Sequence, residues 1–366
     1  MNIHKATGWG ALPLVISLLS ISPGMQCGQP TGKKPGKPDR TGQTTQTAPP
    51  SNPAPQPYGT TNADLPFFGF NTKGAMDPGE QIQYANAYLD KITSPEIKQR
   101  LVIRVTGGTI SQTTYGKDWT PEVIRQWTDL QKRQGVRFIY VVNGNDAPAE
   151  QAAAIQRWMD AGARFDFLEM MNEYYLPKFV SGDRSHAEVT RQVTPEDYVN
   201  SILPAYWKEL DRFHLPYYLI FAPSRPGRDG AQQKMDEWNT VVSGAIRNKY
   251  PDKDLNATIH LYARGSLAGF DYGQIDRLRQ SLPPGRHIAV TEAGILDNAL
   301  SYEQAGNLAV EHYRNIMAHL GKGDYLLDQV LYNMNKRGNI AALNPHTGGE
   351  TPKGRVMLQF IQGGLR

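Results

Sequence analysis

From Leu65 onward the chain repeats one pattern: a short apolar run, a polar loop, then an amphipathic stretch opened by Ser, Thr or Asp, often with proline next. The apolar runs are Pro66–Phe70, Leu101–Thr106, Val136–Val142, Phe165–Met171, Pro216–Phe221, Ala257–Tyr262, His287–Thr291 and Tyr325–Tyr332. Each has strand length, and most are apolar on successive residues rather than alternate ones, the mark of a sheet covered on both faces, as parallel strands are. Between them lie helix openings: Asp77-Pro78-Gly79-Glu80, Thr120-Pro121-Glu122, Thr194-Pro195-Glu196, Ser301-Tyr302-Glu303-Gln304 and Thr351-Pro352. There a side-chain oxygen can cap free backbone N–H groups, and proline sits where no N–H is needed. Eight strand-then-helix units predict a single α/β domain over 64–366, a (β/α)8 or TIM barrel. An open doubly wound sheet would carry a glycine-rich phosphate turn after its first strand, and Asn71-Thr72-Lys73-Gly74 is no such cradle.

Composition changes this picture only at the N-terminus. Of 366 residues, 39% are hydrophobic, enough to bury a large core. The formal charge of +4 belongs to the first 63 residues, where Lys5, Lys33, Lys34, Lys37 and Arg40 face only Asp39. The remainder is balanced and offers no basic surface for nucleic acid, so no nucleic-acid partner is expected. Residues 1–27 read as an export signal, possible lipoprotein signals included: Lys5, an apolar stretch from Ala11 to Ile21 too short to span a bilayer, then Ser22-Pro23-Gly24 before Cys27. Cys27 is the only cysteine, so no internal disulfide can form. It is either incidental or the lipid-modified first residue of a mature lipoprotein, which would attach the protein to a membrane. Residues 28–63, rich in Pro, Gly and Thr, read as a disordered linker. The expected location is therefore secreted or cell-envelope.

In a (β/α)8 barrel the chemistry sits at the carboxyl ends of the strands. Two runs end there in glutamate: Phe167-Leu168-Glu169-Met170-Met171-Asn172-Glu173 and Ile288-Ala289-Val290-Thr291-Glu292-Ala293-Gly294. Two carboxyls brought together by a fold are the minimum equipment for cleaving a glycosidic bond. Strict alternation from Phe165 sets Phe165, Phe167, Glu169, Met171 and Glu173 on one side, with Glu169 as a support beneath Glu173. Other strand ends offer Arg104, Asn143, His260, Tyr262 and Asn333, while Tyr115, Trp119, Tyr174 and Tyr175 are candidates to stack on sugar rings. The eight histidines lack metal-ligand spacing, no calcium loop is present, and no Gly-x-Ser-x-Gly elbow occurs, so neither metal nor cofactor is expected.

Glu169-x-x-Asn172-Glu173 together with Thr291-Glu292-Ala293-Gly294 resembles the signature of the clan A glycoside hydrolases, retaining (β/α)8 enzymes. The resemblance implies Glu173 as acid/base, Glu292 as nucleophile, Asn172 as the holder of the sugar 2-hydroxyl, and Arg104 and Tyr262 as partners of the nucleophile. It implies a polysaccharide or oligosaccharide substrate. Two departures stand out: Tyr174 replaces the proline that often follows the acid/base, and the eighth strand shows no tryptophan. A carbohydrate-binding or cell-surface barrel without turnover is the alternative. A lyase or aldolase is a further one, although no strand ends in the lysine that Schiff-base chemistry needs.

Overall fold

The computed structural model describes residues 65–72, 78–105, 107–108, 119–176, 193–224, 230–329, 331, 341–344 and 347–365. Eight strands close into an all-parallel barrel in chain order: β1 (Phe67–Asn71), β2 (Leu101–Val105), β3 (Arg137–Val142), β4 (Phe165–Met170), β5 (Tyr217–Phe221), β6 (Leu255–Ala263), β7 (Ile288–Ile295) and β8 (Tyr325–Asp328). β1 pairs with β8 to complete the ring. All eight apolar runs became strands, with the largest changes of length in β6, β7 and β8: β6 runs from Leu255 to Ala263. β7 continues past Glu292 to Ile295, so that glutamate lies within the strand, and β8 stops at Asp328.

The helices begin where the capping residues stand. Thr120, Thr194 and Thr351 each accept a backbone N–H ahead of a proline, and Ser301 forms a reciprocal box with Gln304. Each such cap contributes about 1 kcal/mol. The helix Pro121–Gln134 stops at Gly135, whose φ of 67° suits glycine.

Two cores result. The outer one lies between strands and helices, where Trp127 and Trp158 set their rings edge-on to Phe138 at 6.4 and 6.3 Å. The inner one fills the base of the barrel with Val102, Ile139, Phe167, Tyr218, Ala289, Tyr325 and Leu327. Phe167 stacks on Tyr218 at 3.8 Å, and Phe67 on Tyr325 at 4.9 Å. Above this apolar plug the interior turns polar, and there the site is built.

Two strands break the period of two. Between Phe138 and Tyr140, β3 advances two residues while β4 advances three. Asp166 and Phe167 consequently both face the interior: Asp166 bonds Arg137 and Tyr325, and Phe167 joins the plug, while Phe165 packs outward on Trp158. β7 carries the second extra residue, since Ile259 pairs with Val290 but His260 pairs with Glu292. Strict alternation along β4 is therefore corrected at both ends. Phe165 faces the helices, and Met171, beyond the strand, packs into the outer core.

Candidate active site

Arg104, on β2, is the centre of the polar layer and is fully buried. Its Nε and Nη2 donate to Glu169 Oε2 and Oε1 at 2.7 and 2.6 Å, a bidentate fork. Nη1 donates to Asn71 Oδ1 and to Glu292 Oε1, both at 2.7 Å, and Nη2 also reaches Asn172 Oδ1 at 2.9 Å. All five guanidinium N–H groups thus have acceptors. Burial alone would weaken the charge on Arg104, but Glu169 and Glu292 outweigh it and hold the guanidinium charged. Glu169 meets the same opposition: burial favours its neutral form, yet Arg104 and His260 draw its carboxyl below the usual range.

β6 supplies the second set of partners. His260 Nδ1 lies 3.2 Å from Glu173 Oε1, and its Nε2 is 3.6 Å from Glu169 Oε1, an ion-pair distance rather than a hydrogen bond. Burial disfavours the imidazolium, but Glu292, Glu169 and Glu173 together push its pKa up to about 9. The Tyr262 hydroxyl donates to Glu292 Oε2, and burial together with the charge of Glu292 keeps that phenol protonated. Glu292 is 3% exposed and Glu173 13%. The first is sunk in the barrel mouth, while the second stands at its rim.

The backbone explains how Glu173 gets there. After β4 the chain turns through Met171 at φ 68° and Glu173 at φ 48°. This left-handed conformation costs a side-chain-bearing residue about 1 kcal/mol or more, a strain found chiefly where function over-determines the geometry. On β7 the extra residue lets two consecutive side chains face inward. Thr291 donates to Glu169 at 3.2 Å and shares a 2.6 Å hydrogen bond with Thr258, while Glu292 meets Arg104 and Tyr262.

The structure gathers Arg104, Glu169, Asn172, Glu173, His260, Tyr262 and Glu292 into one cluster. It sets Asn143 and Tyr174 apart, in the packing beneath the rim. Asn143 Oδ1 accepts the N–H of Asn145, and Tyr174, 2% exposed, bonds Asn145 Oδ1 and covers Gly144. Tyr175 donates to Glu173 at 3.3 Å. Trp119 packs on Trp127 and Trp158. Asn333, Tyr115 and Cys27 lie outside the described residues, as do the signal and linker at 1–63. Asn71 and Thr258 were not among the candidates, and Thr291 stood in the seventh-strand motif without a role of its own. Asn71 stood at a strand end and was legible by the same rule that singled out Arg104; its Nδ2 donates to Thr291 O at 2.7 Å and its Oδ1 steadies Arg104.

A cavity of about 330 Å³ adjoins Glu173, walled by His260, Tyr262, Arg264, Phe270 and Gln274 among others. A larger hollow of about 520 Å³ lies outside the strands, between the helices Ala231–Gly244 and Gly273–Ser281, and touches neither glutamate. Of the two, the smaller one adjoins the carboxyl cluster. Its size falls within the roughly 300–1,000 Å³ of small-molecule sites.

No family model matches the chain, and no curated protein matches it in sequence. Among solved structures, a family 39 glycoside hydrolase from Bacteroides cellulosilyticus WH2 superposes with a TM-score of 0.51 at 12% identity, over 82% of this chain. The match spans 63% of that chain's length. A family 5 subfamily 18 glycoside hydrolase from Streptomyces cattleya, solved with Manβ1-4GlcNAc, gives 0.49 at 12% identity over 81% of this chain and 80% of its own. At such identities the likeness is one of fold alone: the chain shares a closed (β/α)8 barrel with the family 39 hydrolase.

Proposed function

We propose that the protein is a retaining glycoside hydrolase that cleaves O-glycosidic bonds of an extracellular carbohydrate through a covalent glycosyl-enzyme. The observation that carries this reading is the joining of two carboxyls, one just past β4 and one on β7, in one cluster: Arg104 and Tyr262 hold Glu292, and His260 holds Glu173. Glu292, kept near a buried guanidinium, attacks the anomeric carbon. Glu173 gives its proton to the leaving oxygen and later takes one from the water that releases the sugar. The charges suit that division. Three carboxyls face two cations, Arg104 and His260, so one added proton balances the cluster, and Glu173 at the rim is placed to carry it toward a substrate. Arg104 grips Asn172 by its oxygen, which turns the amide donors the other way, as binding a sugar 2-hydroxyl requires.

The test is a pair of variants on aryl glycosides with an activated leaving group, after a substrate screen. Glu292→Ala is expected to stop glycosyl-enzyme formation and to be rescued by azide with inversion. Glu173→Ala should keep a measurable glycosylation step, and wild-type product should retain its configuration. Equal loss in both variants without rescue refutes the roles, and an inverted wild-type product refutes the covalent route. Export is proposed from residues 1–27 alone. Partitioning into detergent that Cys27→Ser abolishes marks a lipid anchor, partitioning into water marks secretion, and an uncleaved chain in the cytosol refutes export.

A further inference from the structure

His260 and Tyr262 lie on the interior face of β6, and the next residue in that alternation is Arg264, one position beyond the strand. Its backbone is held on both sides. Leu296 N–H bonds the carbonyl of Ala263 at 2.8 Å, and Ser266 N–H closes back on the carbonyl of Arg264 at 2.6 Å, across Gly265 at φ 63°. The side chain is exposed and forms part of the wall of the 330 Å³ cavity, beside Glu173, His260, Tyr262 and Phe270. Among the described residues, no carboxylate or carbonyl engages its guanidinium. The contrast with Arg104, whose five donors are all taken, is sharp. An exposed arginine is ordinary on a protein surface; one on the wall of the cavity beside Glu173, with no acidic contact among the described residues, leaves its fork of donors open to an incoming oxyanion.

The position also says which part of a substrate would meet it. Glu173 lines the cavity and Glu292 does not, and the acid/base is the group that touches the leaving oxygen. The cavity therefore takes the leaving-group side. Arg264 is two residues past Tyr262, roughly 6.6 Å along the strand, about one sugar ring beyond the bond to be cleaved. Phe270, held edge-on to His312 at 4.8 Å, gives that ring an apolar wall.

We propose that Arg264 binds an oxyanion, a carboxylate or a sulfate ester, on the leaving-group sugar, so that the substrate is an acidic glycan. This rests on the glycosidase reading for its location but not for its chemistry. The guanidinium fork matches either anion in two parallel hydrogen bonds, and charge-assisted bonds of that kind confer about ten- to a hundredfold preference.

The experiment uses the full chain, with Arg264→Gln and Arg264→Lys beside it, and three matched disaccharides whose leaving-group sugar is neutral, carboxylated at C6 or sulfated at C6. Binding is measured by calorimetry and cleavage by product release. Wild type is expected to favour one of the anionic sugars by about tenfold or more, with the favoured one identifying the anion. Arg264→Gln should bring the anionic-to-neutral ratio close to one, and Arg264→Lys should leave it in between, since lysine keeps the charge and loses the fork. A wild-type ratio near one, or a preference that survives Arg264→Gln, overturns the proposal even if cleavage proceeds. Anion-selective binding that depends on Arg264 with no cleavage of any glycoside overturns the glycosidase reading and upholds this site.

Discussion

His260 Nδ1 lies 3.2 Å from Glu173 Oε1, and across the β6–β7 ladder the Cα partner of that same histidine is Glu292. One ring thus meets the carboxyl that follows β4 from a position beside the carboxyl of β7. Its charge matters to both, and so does the strand that carries it.

That charge has a signature in stability. An unfolded histidine titrates near 6.5, whereas His260 in the fold holds its proton to about 9. The native state binds more protons in that window, so its contribution is complete below pH 6.5 and is lost as pH rises toward 9. His312 does the reverse. Burial among Phe270, Tyr272 and Tyr313 lowers its pKa to about 4, so its contribution is complete above 6.5 and shrinks as pH falls toward 4. Urea unfolding across pH is expected to show an alkaline decline that His260→Gln flattens, on the order of 3 kcal/mol in all, and an acid decline that His312→Gln flattens. Unchanged slopes in the variants would contradict the assignment.

Arg104→Met should cost about 3–5 kcal/mol, because it leaves Glu169 and Glu292 buried without their cation. Arg104→Lys keeps the charge but cannot serve five acceptors, and is expected to fall between wild type and Met in the urea midpoint. A lysine variant as stable as wild type would show that the fork itself contributes little.

Tyr262→Phe removes one hydroxyl from Glu292 and nothing from the packing. The expected outcome is a ten- to hundredfold loss in kcat/KM on an activated aryl glycoside, with the unfolding free energy within about 1.5 kcal/mol of wild type. A loss confined to KM would place the hydroxyl in substrate binding instead.

Gly69 lets β1 lie close against β2 by having no side chain. A Cβ there would stand 1.9 Å from the carbonyl oxygen of Val102, backbone against backbone. Gly69→Ala should therefore destabilise by more than about 3 kcal/mol or yield insoluble protein. Gly244, at the end of the helix Ala231–Gly244 with open space around it, is the control: alanine there should add about 0.4–1 kcal/mol.

Much of the barrel was legible because its signals are local. The eight apolar runs and the caps at Thr120, Thr194, Ser301 and Thr351 each depend on a few neighbouring residues, and each became the element expected. Glu173, Glu292, Arg104, His260 and Tyr262 were legible as strand-end residues. What escaped was register. The extra residues in β4 and β7 depend on what the neighbouring strands do, and a strict period of two cannot represent them. One trace was present: Thr291 and Glu292 are adjacent polar residues in an otherwise apolar strand, and only a bulge lets both face inward. Asn143 was read from its strand-end position and Tyr174 from its aromatic ring, and neither signal reveals that loops satisfy one another first, as these two do with Asn145.

The bulge on β7 gives the barrel mouth one more inward side chain than a regular strand would. Loss of the codon for Thr291 would restore a regular ladder against β6 and leave eight strands that can still close. Glu292 would then follow Val290 directly, still opposite His260 and still facing inward. What would go is the hydroxyl that donates to Glu169 and pairs with Thr258. Such a chain would keep both carboxyls of the cluster and lose the support beneath them.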